Sequence, residues 1–168
     1  MVEDIVRKSG YLTLGSRLKR IGERMQADVQ RLFKMHGFNV QTNLLPLLAA
    51  LDRNGPMTVG ELVQALGVTQ PGVTRSVSLL ASQKLVEARR DPKDQRSKSV
   101  SLTTQGQNLV QHSKAELWPQ VEQAVASICN GLEGVLLVQL DRLEDELVQK
   151  PLDQRIANGK PHDTARSR

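Results

Sequence analysis

Only four of the 168 residues are aromatic: Tyr11, Phe33, Phe38 and Trp118. Proteins that hold single strands or RNA stack bases on aromatic rings, so this scarcity sets that class aside; if nucleic acid is the partner, a duplex is favoured. The one cysteine, Cys129, excludes an internal disulfide framework and any metal site built from several thiolates, and it fits a reducing compartment. His36, His112 and His162 are too scattered to suggest a ligand cluster, so neither metal nor cofactor is expected. No apolar run approaches the roughly 18 residues of a membrane helix. The opening MVEDIVRKSG carries acids and lacks an apolar core segment, unlike a secretory signal; the expectation is a cytoplasmic protein with no membrane partner. A nucleophile paired with a base, or a phosphate-cradling glycine loop, is also missing, so no enzyme activity and no catalytic residue is expected.

What the chain does have is unevenly placed charge. The net charge is +5 and the isoelectric point about 9.7, which admits a polyanionic partner without demanding one. Residues 1–57 carry a net +4, residues 58–102 a net +3, residues 103–156 a net −4 and the remaining tail +2. The middle is basic and the long segment after it acidic. The length fits one folded unit.

Apolar residues recur at spacings of three and four at Leu14, Leu18, Ile21, Met25, Val29 and Leu32, the stripe of a helix from about residue 10 to 35 that Gly37 and Asn39 end. A short helix around Leu44 to Leu51 closes at Asn54-Gly55-Pro56, and Thr58 stands where an N-cap would. Behind it TVGELVQALG predicts a helix of about nine residues stopped by Gly67. After Val68 comes a second cap, Thr69, with Pro71 in the first turn and a helix running to about Gln83. Two short helices joined by a tight turn form a helix-turn-helix.

LVEAR and SVSLT alternate apolar with polar residues on either side of RDPKDQRSK, so the charged run is the tip of a hairpin, or wing. Thr103 caps another long helical pattern through Val110, Leu117, Val121, Ala124 and Ile128, with a kink expected at Trp118-Pro119. Beyond Asn130-Gly131, Leu132, Leu136, Leu140, Leu143 and Leu147 continue the periodicity to about Ile156, and residues 157–168 read as a disordered tail. The fold class is therefore mainly α with a small β-hairpin. Its outer helices carry more apolar surface than the central module can cover, which suggests pairing with a second copy.

Residues 58–106 resemble the winged helix-turn-helix core of MarR-family transcriptional regulators, above all in TQPGVTR, DPKDQR and VSLTTQG. The flanks LGSRLKRIGERMQADV, NLLPLLAALDRNGPMTVGEL and AELWPQVEQAV look like the MarR-type portion of bacterial MarR/GNAT fusion proteins, here without the acetyltransferase domain. The resemblance implies one MarR-type domain over residues 1–156. Residues 44–102 would be its winged helix-turn-helix lobe, and residues 10–36 and 103–156 its dimerisation helices. It also implies a homodimer on a pseudo-palindromic double-stranded operator, with a small molecule as effector. Two departures stand out: Lys84-Leu85-Val86 replaces the family's common Gly-Leu-Val, so either lysine adopts a left-handed conformation or the helix ends differently, and Lys93 replaces a frequent arginine, keeping charge but losing the bidentate fork.

A helix in the major groove reads bases from its first turns, which makes Gln70, Thr74, Arg75 and Ser78 candidates, with Thr69 at the cap and Pro71 and Gly72 keeping that end slim. Without the wing beside them they would read as a merely solvated polar face. The resemblance assigns Arg96 to a minor groove, where arginine is drawn by concentrated negative potential. Arg89, Arg90, Lys93, Ser97 and Lys98 would contact DNA around it, while Asp91 and Asp94 support the wing by holding the arginines and the turn at Pro92. Thr58, Thr69 and Ser97 can donate to phosphates, although capping alone explains the two threonines. The family would place an effector pocket near Arg17, Arg20, Phe33, His112 and Trp118, each of which also has a use as core or satisfied surface. Cys129 can sense oxidant or simply pack; a helix end without an evident basic neighbour favours packing.

The reading is a DNA-binding regulator, a repressor in its simplest form. The competing class is a winged-helix interaction or dimerisation adaptor that does not bind DNA, against which Arg75 and Arg96 argue. An acetyltransferase-linked enzyme has only the fusion analogy behind it.

Overall fold

A computed structural model describes residues 2–90, 98–129 and 134–149. It divides the chain into two compact units, residues 1–121 and 122–168. The first begins with a short helix α1 (Ile5–Lys8), a 3₁₀ turn over Gly10–Thr13 and the long helix α2 (Leu14–Met35). Then come α3 (Leu45–Asn54), strand β1 (Met57–Thr58), α4 (Val59–Leu66), α5 (Gln70–Ser82), the hairpin β2 (Val86–Arg90) and β3 (Lys98–Leu102), and α6 (Thr104–His112). Helix α7 (Trp118–Cys129) starts in this unit, and α8 (Leu136–Gln149) belongs to the second. A mainly helical chain with a small antiparallel sheet is what the periodicities predict. The expected end of the last helix near Ile156 and the tail 157–168 lie outside the described residues.

The sheet has three strands, not the two of the hairpin alone. Its order is β1-β3-β2, with Met57 opposite Val100 and Val86 opposite Leu102. Two residues are too few to show an alternation, so β1 is invisible in the sequence and exists because β3 offers it a free edge. Buried Met57, Val86 and Val100 join Leu47, Leu48, Leu51, Leu62, Val73, Leu80, Leu109 and Val110 in one core. Helix α2 enters that core at its C-terminal end through Phe33, which is fully buried. Gln30 secures the turn after it: its amide nitrogen donates to the Val40 carbonyl at 2.8 Å and its oxygen accepts from the Thr42 N–H at 3.0 Å.

The start of α4 is set locally. Thr58 and Glu61 form a complete capping box: the Glu61 N–H donates to Thr58 Oγ1, and Glu61 Oε2 accepts from the Thr58 N–H at 2.7 Å and its hydroxyl at 2.9 Å. These bonds to Thr58 hold the Glu61 carboxyl below its ordinary range. Gly67 ends α4 in the left-handed conformation at φ 63°, which glycine adopts without a Cβ clash.

Recognition-type helix α5 ends differently. Lys84 takes φ 59°, the one described non-glycine residue with positive φ, so lysine fills the left-handed position itself. The turn is tied from three sides: Leu85 N–H donates to Leu80 O at 3.0 Å, Thr103 N–H to Leu85 O at 3.1 Å, and the Thr103 hydroxyl to Lys84 O at 2.6 Å. Thr103 also caps α6 by accepting from the Gly106 N–H at 3.1 Å. Gly106 is buried against this turn, and a Cβ on it would overlap the Leu85 carbonyl oxygen.

The disturbance at Trp118-Pro119 falls one turn earlier than expected. Ser113–Leu117 form a π-helical turn in which the Trp118 N–H bonds to Ser113 O. Proline lacks an N–H and its ring collides with the carbonyl four residues back, so one widened turn moves that carbonyl aside and the helix carries on into α7. In the second unit, α7 ends at half-buried Cys129 and α8 keeps Leu136 and Leu140 half-buried.

Gly106→Ala is expected to destabilise by about 3 kcal/mol or more in urea unfolding, because backbone on both sides must move. Lys84→Gly is expected to stabilise by about 0.5–1 kcal/mol, the relief of left-handed strain less the entropy glycine adds to the unfolded chain. Because the Glu61 pKa is depressed on folding, its capping contribution is present above the ordinary carboxylate pKa and lost as pH falls through the folded value. Melting curves from pH 7 down to about 3 should fall less steeply for Glu61→Gln than for the parent.

Candidate nucleic-acid interface

Helices α4 and α5 are joined by Gly67, Val68 and Thr69, so α5 starts almost immediately after the left-handed stop. Val73 and Leu80 on α5 are fully buried and Val77 is half-buried, fixing one face of the helix to the core. The other side presents Gln70, Pro71, Gly72, Thr74, Arg75 and Ser78, all exposed together with Thr69. The structure thus brings every sequence-predicted residue of this helix onto accessible surface around its first two turns.

The hydroxyls on that surface have a definite polarity. Thr74 donates to Gln70 O, Ser76 to Gly72 O and Ser78 to Thr74 O, each at 3.0 Å. With their protons turned back onto the helix, these oxygens present lone pairs outward, suited to the amino groups of adenine and cytosine. Arg75 is the one cationic side chain on α5. The sequence shows the residue types but not which way the hydroxyls point, since back-bonding to the carbonyl four residues earlier depends on the rotamer.

The two cap threonines separate. Thr58 donates its hydroxyl to Glu61, so its role is structural. Thr69 has extended backbone and makes no side-chain capping bond, so its hydroxyl remains available at the helix start.

The wing strands pair antiparallel with Arg89 opposite Ser99 and Arg90 opposite Lys98, bringing three basic positions of the hairpin together at its outer end. The tip, with Asp91, Lys93, Asp94, Arg96 and Ser97, lies outside the described residues. Helix and hairpin belong to the stretch with net charge +3.

The residues anticipated for an effector are dispersed. Phe33 is spent on the core. Arg20 donates to both carboxylate oxygens of Asp4 at 3.0 Å, and that bond, with a further one from the Arg7 N–H, lowers the Asp4 pKa. Arg17 is half-buried on α2. Trp118 borders a shallow apolar pocket with Met25, Val29, Leu45 and Pro46. His112 borders a different cavity, of about 960 Å³, beside Phe38 and Gln83. Among the described residues no three of His, Cys, Asp and Glu converge as a metal site, and no helix is long and apolar enough to cross a membrane.

The sequence model of the MarR family matches residues 38–97, from the turn after α2 through the wing. The uncharacterized HTH-type transcriptional regulator YdgJ of Bacillus subtilis (strain 168) is 26% identical over 108 residues, which is 64% of this chain and 66% of the relative. The chain therefore matches just under two thirds of that relative's length. Among solved structures, Bordetella bronchiseptica BpsR, whose DNA binding is regulated by 6-hydroxynicotinic acid, is 26% identical with a TM-score of 0.61, covering 80% of this chain and 91% of BpsR. A mutant MarR from E. coli complexed with operator DNA shares the fold at 18% identity and TM-score 0.66, covering 87% and 99% of the two chains. Over residues 38–97, which hold the helix-turn-helix and the first strand of the wing, the chain is similar to the MarR family, and its fold is that of these solved MarR-type structures.

Proposed function

We propose that the protein is a cytoplasmic, non-enzymatic regulator that binds a pseudo-palindromic site on double-stranded DNA as a homodimer, represses transcription there and responds to a small molecule. The observation that carries this reading is the exposed polar face of α5, from Thr69 to Ser78, beside a hairpin whose paired ends are basic. In the major groove Arg75 can fork onto a guanine and Gln70 onto an adenine, while Thr69, Arg89, Arg90 and Lys98 reach phosphates. Arg96, with Lys93 and Ser97 beside it and Asp91 and Asp94 as braces, is assigned to the adjacent minor groove. The structures of E. coli MarR with operator DNA and of S. aureus MepR with DNA support the partner, and BpsR supports an effector.

A second copy is supported by apolar surface that this chain leaves open. Leu18, Ile21 and Met25 of α2 are about two-fifths exposed, and Tyr11 and Leu12 just before it are 94% and 89% exposed. Their spacing makes a helical stripe suited to isologous pairing, with residues 10–36 and 103–156 as the dimerisation helices. Two lobes then meet half-sites one helical turn apart.

Duplexes selected from a random pool should converge on an inverted repeat. Arg75→Ala and Arg96→Ala should each weaken binding about tenfold or more, near the worth of one good base or groove contact. Thr69→Ala should weaken DNA binding while changing stability by less than about 0.5 kcal/mol, whereas Thr58→Ala should cost about 1 kcal/mol of stability. The logarithm of affinity should fall steeply and linearly with that of salt concentration; a flat response, or no binding to any duplex by an intact dimer, would favour the adaptor reading.

A further inference from the structure

The exposed side of α5 accepts hydrogen bonds more readily than it gives them. The Thr74 and Ser78 hydroxyls each lie 3.0 Å from a carbonyl one turn back, that of Gln70 and that of Thr74. A carbonyl oxygen only accepts, so each hydroxyl proton is committed to the backbone and each oxygen faces outward with lone pairs alone. The same bond fixes the rotamer, so neither oxygen swings aside while it lasts. Both side chains are exposed, and a spacing of four puts them on one row of the helix with Gln70, about 6 Å apart along its axis. That is close to two base-pair steps of about 3.4 Å. Arg75 supplies donors beside them, so a guanine falls to the arginine and not to the hydroxyls.

An acceptor facing the major groove is matched by the amino group of adenine or cytosine. In a duplex that nitrogen uses one N–H for its paired base and turns the other to the groove. A methyl group on the nitrogen takes the place of the groove-facing N–H. An N–H···O bond spans about 2.9 Å between heavy atoms, which leaves no room for a carbon where the proton was. From this polarity we infer that the protein discriminates the methylation state of its DNA site. Thr74 and Ser78 accept from unmodified adenine or cytosine amino groups, and N6-methyladenine or N4-methylcytosine at those positions is rejected.

The inference rests on the regulator reading and adds to it a response to chemical modification of the duplex. Methylation of one nitrogen in a half-site lowers affinity with no change in base sequence, because the methylated base still pairs with its usual partner. In a two-fold symmetric site the recognised base of one half lies on one strand and that of the other half on the opposite strand. A duplex methylated on one strand therefore loses the contact in one lobe, and a duplex methylated on both strands loses it in both. Affinity falls in two steps as the strands are modified in turn.

Fluorescence anisotropy of the full chain with a duplex selected from a random pool tests this. Each adenine and cytosine of the half-site is replaced in turn by N6-methyladenine or N4-methylcytosine, on one strand and then on both. At one or two positions per half-site, methylation of one strand should weaken binding about tenfold or more, near the worth of one base contact, and methylation of both should weaken it further. Thr74→Ala and Ser78→Ala remove the acceptor and open space, and both should fold because alanine suits an exposed helix position. At the position each side chain reads, the variant should bind methylated and unmethylated duplex within about twofold of one another, a ratio that a merely structural role would leave unchanged. Binding of every methylated probe within about twofold of the parent duplex refutes the inference and leaves the regulator reading standing. Sensitivity that persists undiminished in both variants refutes the assignment to Thr74 and Ser78. A folded protein that binds no duplex refutes the regulator reading, and the inference with it.

Discussion

The winged helix-turn-helix lobe depends on one close approach, that of α6 to the turn joining α5 and β2. Gly106 lets the two backbones touch, and Thr103 uses one side chain for both partners, donating to the Lys84 carbonyl and accepting from the Gly106 N–H. The end of the recognition helix, the root of the wing and the start of the next long helix thus meet within a few residues. Neither hydrophobic burial nor the strand pairing alone would set their relative angle. Apolar side chains can slide and repack at modest cost, whereas a backbone contact with directed hydrogen bonds cannot.

This contact also separates what the order of residues discloses from what only their folding together does. The cap at Thr103 and the abutting glycine belong to VSLTTQG and are readable as a helix start, but the need for glycine at 106 is visible only when Leu85 is seen across from it. The alternatives left open at Lys84 resolve for a similar reason: the local sequence offers a poor left-handed residue, and bonds from Thr103 and to Leu80 hold it there. Helix boundaries were legible because capping and stop residues act over one turn. Strand β1 and the widened turn before Pro119 were not, since each is decided by a partner or a collision that no local pattern encodes.

The candidate site divides along the same line. Its helical half was legible, because a stripe of Val73, Val77 and Leu80 turned inward leaves Gln70, Thr74, Arg75 and Ser78 outward. The distinction between Thr58 and Thr69 was not, because it depends on Glu61 reaching back to one and nothing reaching back to the other. Of the residues anticipated near an effector, Phe33 packs in the core and Arg20 bonds to Asp4, partners distant in sequence that no local pattern discloses.

The strain at Lys84 bears on populations as well as on shape. A left-handed lysine stores about 1–2 kcal/mol, which its neighbours offset while they hold. Opening of that turn releases the stored energy, so open forms are about five to thirty times more abundant than they would be with an unstrained residue there. The link between recognition helix and wing is in this sense a sprung latch, closed by Thr103 and readily released.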